Sequence, residues 1–195
     1  ETPTWKNFSI SEVLNPLFDD CPFELWKDIP DLQRENIIPT MNLVQEVRDF
    51  FSLFFFDLTG NPHEANNRAR MQINSSIRIH DRKGSSHFLG HAIDTQLISP
   101  YIDWGHILFN YLAARNYQQA KKWMDTLNLP GFRIFWEWSG KSNYGWLHFD
   151  TGYLVQEGQC KLFIAHPLNQ KGMEYLLYEG KAPWEYLGKN DPLIS

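Results

Sequence analysis

The stretch SSHFLGHAID, from Ser85 to Asp94, places two histidines, one aspartate and one glycine within ten residues. His87 and His91 are four residues apart, which is the spacing of two metal ligands on one helical turn. Gly90 lies between them, however, and the glutamate of the helical zinc motif is absent. A helical pair of histidine ligands is therefore the weaker interpretation of this stretch.

A histidine–aspartate pair is the stronger interpretation. The residues HAIDTQLI have the composition of a strand, on which Ala92, Asp94 and Gln96 share one face. Gly90 lets the chain bend before the strand, so that His87 in the turn can meet Asp94. The small side chain of Ala92 leaves room beside the carboxylate.

A third ligand must come from another strand, because a catalytic zinc is held by three protein groups and a water. The strand-like stretch GWLHFD offers His148, with Trp146 and Asp150 on the same face and Leu147 and Phe149 on the other. Packing of the two apolar side chains in the core would fix the orientation of the imidazole, as a metal ligand requires. The pattern predicts that His148 completes the site.

The rest of the chain predicts an α+β fold, with a small, mostly antiparallel sheet flanked by helices. A capping-box pattern in FSISEVL predicts a short helix, and apolar residues at three- and four-residue spacing predict a longer one over 34–54. The same spacing predicts helices over 101–114 and 120–127. Strands are expected in RMQINSSIRI, HAIDTQLI, FRIFWEW and GWLHFDTGYL, with short strands and loops after residue 153.

The composition argues against several functional classes. Hydrophobic residues make up 43% of the 195 residues and aromatic residues 15%, which indicates a globular protein. The formal net charge of -5 and the lack of long Lys/Arg runs argue against nucleic acid as a partner. No apolar run approaches the length of a membrane span, and no secretory signal is visible. The two cysteines are far apart in the sequence, so we expect free thiols.

The opening stretch resembles the motif of a known peptidase family. Its residues match, position for position, the Ser-x-His-x-x-Gly-x-Ala-x-Asp motif of the zinc D-alanyl-D-alanine carboxypeptidases and phage L-alanyl-D-glutamate endopeptidases. The matching residues are Ser85, His87, Gly90, Ala92 and Asp94. That family shares its fold with the Hedgehog signalling domain, so the resemblance implies a Hedgehog-like peptidase fold.

Other segments resemble the same family in the same order, from about Asn7 to Asp150. NFSISEV is similar to its N-terminal opening, and INSSIR is similar to its Ser-Gly-Tyr-Arg strand, with Ser75 and Arg78 on the matching positions. FRIFWEW resembles a strand that carries a glutamate, and GWLHFD resembles the Trp-x-His motif that supplies the last ligand. The resemblance implies a zinc peptidase-like domain over 1–153 and a C-terminal extension over 154–195.

The resemblance also implies roles for individual residues. Zinc would be held by His87, Asp94 and His148, with Arg78 nearby to bind or polarise the substrate. Many members of the family carry a carboxylate three residues before the last histidine, as general base and acid, but this chain has glycine there, at position 145. Glu137 on the preceding strand is the candidate for that role, and the aspartate at position 150 is the alternative.

The implied function is hydrolysis of a peptide bond in the peptide stem of bacterial peptidoglycan. The protein would be a phage-encoded metallopeptidase, either an endolysin or a virion-associated enzyme for cell wall degradation, located in the virion or at the host cell wall and periplasm. The residues leave carboxypeptidase and endopeptidase activity open.

An alternative is a structural virion protein that binds other virion proteins and retains the fold with little or no turnover. The glycine at position 145, the acidic charge and the tail over 151–195 favour that alternative. A weaker third option is a Hedgehog-like binding module that holds zinc without catalysis.

Overall fold

The structure is a computed structural model, and it describes residues 2–18, 21–79, 81, 83–98, 104–137, 145–152, 159–168 and 172–180. Of residues 165–168 and 172–174, only the backbone is described. The helices are α1 (Ile10–Leu14), a 3-10 turn (Trp26–Asp28), α2 (Asp31–Thr59), α3 (Pro62–Arg68), α4 (Trp104–Ala114) and α5 (Gln118–Leu127). The strands are β1 (Met71–Ser75), β2 (Ala92–Leu97), β3 (Gly131–Glu137), β4 (Trp146–Asp150), β5 (Gln159–Leu168) and β6 (Gly172–Leu177).

The strands form one six-stranded sheet in the order β1-β2-β4-β3-β5-β6. Neighbouring strands are antiparallel except β3 and β5, which run parallel. The predicted α+β class with a mostly antiparallel sheet is therefore confirmed. The four strands expected from the sequence correspond to β1, β2, β3 and β4.

Helix α2 packs against β2 and β4 and supplies much of the core. Ile37, Met41, Val44 and Val47 are fully buried, and they follow one side of the helix at three- and four-residue intervals. The predicted helix over 34–54 is confirmed, but the helix is longer at both ends. It ends where Gly60 adopts a left-handed φ of 64°, a conformation that closes the last helical turn.

The two faces of the sheet differ in chemistry. Ile93 of β2 and Leu147 and Phe149 of β4 are buried in the same apolar cluster as helix α2. Because successive side chains of a strand point to opposite faces, Asp94 and His148 lie on the face away from the helices. The periodicity of these two strands thus separates the predicted metal ligands from the core.

Strands β5 and β6 extend the sheet beyond β3. β5 is a ten-residue strand that pairs in parallel with the whole of β3, and β6 pairs with β5 in antiparallel register. The part of the chain predicted as short strands and loops therefore contains a long strand of the same sheet. The division of the chain into 1–153 and 154–195 stays a prediction.

Three further expectations concern helices and cysteines. The helix predicted over 101–114 is α4 from Trp104 onward, and residues 101–103 lie outside the described part of the chain. Among the described helices, none is both long and apolar enough to cross a membrane. Cys21 and Cys160 are free thiols, as expected.

Candidate metal centre

Three side chains converge on the face of the sheet away from the helices. Asp94 and His148 are direct cross-strand partners in β2 and β4, and His148 Nδ1 is 2.7 Å from Asp94 Oδ1. His87 reaches the same carboxylate from the turn before β2, with its Nε2 3.2 Å from Asp94 Oδ2. One ligand atom from each residue lies within 4.8 Å of the other two, so the group could hold a metal ion.

The tautomer of His87 is set by a backbone carbonyl. His87 Nδ1 lies 2.7 Å from the carbonyl oxygen of Ser76, and a carbonyl only accepts, so Nδ1 carries the proton and donates it. In the neutral ring Nε2 is then the unprotonated nitrogen, which is the form that binds metals. Nε2 is buried and makes no hydrogen bond within the described residues, although it faces Asp94. In that neutral form, His87 would offer the lone pair of a buried nitrogen to a metal ion.

Helix α2 holds the turn that carries His87. Gly90 ends the turn with a φ of 79°, and a Cβ added there would lie 2.7 Å from the carbonyl oxygen of Gln33 on α2. The side chain of Gln33 donates to the carbonyl of Phe88, and the side chain of Asn36 donates to that of Leu89 at 2.8 Å. The predicted bend at Gly90 is confirmed. The two bracing side chains on α2 were not predicted, because nothing in their sequence spacing links them to the turn.

The charges within the group stabilise one another. Burial alone would raise the pKa of Asp94, but the imidazoles of His87 and His148 hold it far below its usual range. Burial opposes protonation of His148, but the Asp94 carboxylate outweighs that effect, and the pKa of His148 is raised. In the absence of a cation, the Asp94 carboxylate therefore favours the protonated form of His148.

Arg78 lies beside Asp94, with its Nη2 3.6 Å from Asp94 Oδ2. Its Nε is 3.4 Å from Asp81 Oδ2, and the hydroxyl of Ser85 donates to the same oxygen at 3.3 Å. Ser85 Oγ also accepts a hydrogen bond from the backbone nitrogen of Phe88. The serine of the motif thus caps the turn and, through Asp81, links it to the arginine. Asp81 was missed in the sequence, where an acidic residue three positions after Arg78 was its only signal.

Glu137 ends β3 and is 9% exposed. It faces Trp146 of β4, whose side chain is hydrogen-bonded to the glutamate carboxylate. Burial raises the pKa of Glu137 and outweighs the opposing charge of His148; the negative charge of Asp94 raises it further. These effects show that the carboxyl group of Glu137 interacts electrostatically with two of the candidate ligands, His148 and Asp94.

Gly145 lies three residues before His148, at the position where the sequence resemblance led us to look for an acid/base carboxylate. A Cβ added at Gly145 would lie 2.6 Å from Trp136 Nε1 and 2.7 Å from the carbonyl oxygen of Glu137. Real Cβ atoms essentially never show such short contacts, so a carboxylate side chain there would require rearrangement of the backbone or of a buried indole. The packing of Trp136 therefore accounts for the glycine.

Asp150 is committed to structural contacts. Its side chain is 2% exposed and forms an ion pair with Arg133 of β3. Its carboxylate also accepts hydrogen bonds from Ser86 Oγ at 2.9 Å and from the backbone nitrogen of Gly152 at 2.7 Å. Asp150 thus ties the end of β4 to the turn that carries His87, and its oxygens are occupied.

His91 lies outside the three-residue group. Its carbonyl accepts hydrogen bonds from the backbone nitrogen of Thr151 at 3.0 Å and from Thr40 Oγ1 at 3.2 Å. Burial lowers the pKa of His91, and the charge of Asp150 opposes that shift. Residues 86–90 form turns and not a helix, so the structure rejects a helical pair of ligands.

The fold and the site together define an α+β protein with a candidate metal centre of two histidines and one aspartate. It is the one group of this kind among the described residues. No family model, curated protein or solved structure matches the chain.

Proposed function

We propose that the protein is a zinc-dependent peptidase that hydrolyses a peptide bond in the stem of bacterial peptidoglycan. We further propose that its fold is that of the D-alanyl-D-alanine peptidases and the Hedgehog domain. The observation that carries the proposal is the convergence of His87, Asp94 and His148 within 4.8 Å, at the positions that the resemblance assigns to metal ligands.

The donor set favours zinc. Two imidazole nitrogens and one carboxylate oxygen are a common set for catalytic zinc, and they leave a coordination position for water. The buried Nε2 of His87 supports the fit, because Nδ1 contacts the carbonyl of Ser76 and leaves Nε2 to face Asp94. When bound, zinc would polarise the scissile carbonyl and lower the pKa of a bound water to about 7.

Two further residues have the chemistry that peptide hydrolysis needs. Glu137, buried and with its pKa raised, suits the role of general base and acid, accepting a proton from the attacking water and giving it to the leaving nitrogen. Arg78 presents a guanidinium beside Asp94, where it would bind a substrate carboxylate or the developing oxyanion.

The source and setting follow from the resemblance alone. We propose a phage-encoded enzyme that acts as an endolysin or within the virion, at the host cell wall. The alternative remains a structural virion protein in which the site is present without turnover. Trp136 leaves no space for a side chain at Gly145. This favours the structural alternative unless Glu137 supplies the acid/base carboxylate.

Metal analysis and a digestion assay test the proposal together. Purified protein is expected to hold about one zinc per chain, and to release new amino groups from purified peptidoglycan. His87→Ala should lose both properties. His63→Ala removes an exposed histidine from α3 and serves as the matched control. Wild-type protein without zinc would end the proposal, and bound zinc without cleavage would leave the structural virion protein or the binding module.

A further inference from the structure

A row of aromatic side chains continues the candidate metal centre across the sheet. Phe135 is the cross-strand partner of His148, and their ring centroids are 5.3 Å apart. Phe163 of β5 stacks on Phe135 at 4.8 Å, and Tyr175 of β6 meets Phe135 edge-on at 5.2 Å. We call Phe135, Phe163 and Tyr175 the aromatic row. It lies on the same face as the candidate ligands.

The aromatic row is available to a ligand at its outer end. Phe135 is nearly buried at 8% exposure, whereas Tyr175 is 52% exposed and its neighbour on the same face, Leu177, is 55% exposed. Phe163, on β5 between the strands of Phe135 and Tyr175, is partly buried. The apolar surface therefore begins beside His148 and opens to solvent at β6.

The two sides of the metal centre differ in charge. Arg78 and Asp81 lie on the side of β1 and β2, whereas the aromatic row lies on the side of β3, β5 and β6. The guanidinium nearest the row, that of Arg133, is engaged by the carboxylate of Asp150. A substrate peptide lying across the metal would thus meet Arg78 and Asp81 on one side and, beyond Glu137 at the end of β3, the rings of the aromatic row on the other.

We propose that the aromatic row is a binding subsite for the uncharged residues of the substrate peptide on the side of the scissile bond away from Arg78. This inference rests on the proposed peptidase function. Small apolar residues such as alanine would pack on the rings of Phe163 and Tyr175. The phenol of Tyr175 would donate a hydrogen bond to a carbonyl of the substrate backbone.

The geometry fixes the length of peptide that can use the subsite. Three strand intervals separate β4, which carries His148, from β6, which carries Tyr175. The Tyr175 ring reaches back toward β3, however: it lies 5.2 Å from Phe135, and Phe135 lies 5.3 Å from His148. The Tyr175 ring is therefore at most about 10.5 Å from the His148 ring, or about three residues of extended chain. Peptides shorter than this on the relevant side of the scissile bond would not reach Tyr175.

Burial and nearby charge keep the Tyr175 hydroxyl protonated. Partial burial raises the pKa of Tyr175, and the carboxylates of Glu137 and Asp94 raise it further. The hydroxyl is therefore a donor at neutral pH, as contact with a peptide carbonyl requires.

The test is a length series of synthetic peptides. The bond that the wild-type protein cleaves in peptidoglycan is first located by mass spectrometry. Peptides are then extended from that bond by one to five residues, on either side. For the wild type, kcat/KM should rise by about tenfold as one side is extended to about three residues, and then level off.

Variants decide whether the row causes that rise. Tyr175→Ala and Phe163→Ala should abolish the gain from extension and change kcat/KM for the shortest peptide by less than about twofold. Tyr175→Phe should keep part of the gain, since it retains the ring. Leu53→Ala, which removes an exposed leucine from α2, is the control and should leave the whole series unchanged.

Two results would overturn the inference while leaving the peptidase function intact. One is a wild-type enzyme that cleaves short and long peptides equally well. The other is a loss in Tyr175→Ala that is equal for all lengths, which would indicate a structural or directly catalytic effect. A wild-type protein that cleaves no peptide would instead refute the proposed function, and the subsite with it.

Discussion

Gly90→Ala is the perturbation for which the structure gives the most definite magnitude. Gly90 has a φ of 79°, and a Cβ there would lie 2.7 Å from the backbone oxygen of Gln33 and 3.2 Å from its Cα. The left-handed conformation alone costs a residue other than glycine about 1–2 kcal/mol. The contact with backbone atoms of α2 adds about 1–3 kcal/mol, the usual cost of forcing atoms into a packed interior. The expected loss of unfolding free energy is therefore about 2–5 kcal/mol.

Gly60→Ala is the matched control for this substitution. Gly60 has a similar φ of 64°, but a Cβ there meets no atom within 4 Å. Gly60→Ala should therefore lose only the conformational contribution to the unfolding free energy, about 1–2 kcal/mol. Urea denaturation of both variants, with and without added zinc, measures the difference. Because the Gly90 turn carries His87, the zinc-dependent gain in stability should shrink in Gly90→Ala and not in Gly60→Ala. Equal losses in the two variants, with an equal response to zinc, would refute the reasoning.

Three other substitutions or conditions have defined outcomes. Asp150→Asn should cost about 2–4 kcal/mol in urea denaturation, because it leaves Arg133 beside a neutral amide; a loss below 1 kcal/mol would contradict the proposed bracing role. In metal-free protein the depressed pKa of Asp94 contributes stability that is present above pH 4 and is lost as the pH falls below about 4; stability that is flat from pH 5 to pH 2 would contradict this. Gly145→Ala should cost about 1–3 kcal/mol through its contact with Trp136, and a neutral effect would show that the indole moves readily.

The candidate ligands could be predicted from the sequence because each depends on a local rule. The alternation of β2 and β4 puts Asp94 and His148 on the face away from the core, and glycine at position 90 permits the bend that brings His87 back. The alignment of Asp94 with His148 depends instead on the register between two strands that are more than fifty residues apart. That register is set by the packing of buried apolar side chains on both strands. It is a property of the folded sheet and cannot be read from either strand alone.

The supporting contacts could not be predicted for the same reason. Gln33 and Asn36 contact the turn because α2 packs across the sheet, and the carbonyl of Ser76 reaches His87 because β1 ends beside the turn. Such contacts join segments that are distant in sequence and leave no periodic pattern. The length of β5 was also underestimated, because its pairing with β3 depends on the sheet that is already formed.

The glycine at position 145 and the glutamate at position 137 are best understood together. The indole of Trp136 fills the space that a side chain at Gly145 would need, and Trp136 is itself 3% exposed and packs edge-on against Phe109 of α4. Core packing therefore excludes a carboxylate side chain at position 145, directly before β4. The pairing of β3 with β4 sets Glu137 opposite Trp146, at the end of β3 nearest Gly145. In the proposed enzyme, the acid/base would thus have moved to the neighbouring strand, where burial raises its pKa toward the working pH of the reaction. Glu137→Gln should then keep zinc and lose cleavage, whereas a variant that cleaves normally would require another group to move the proton.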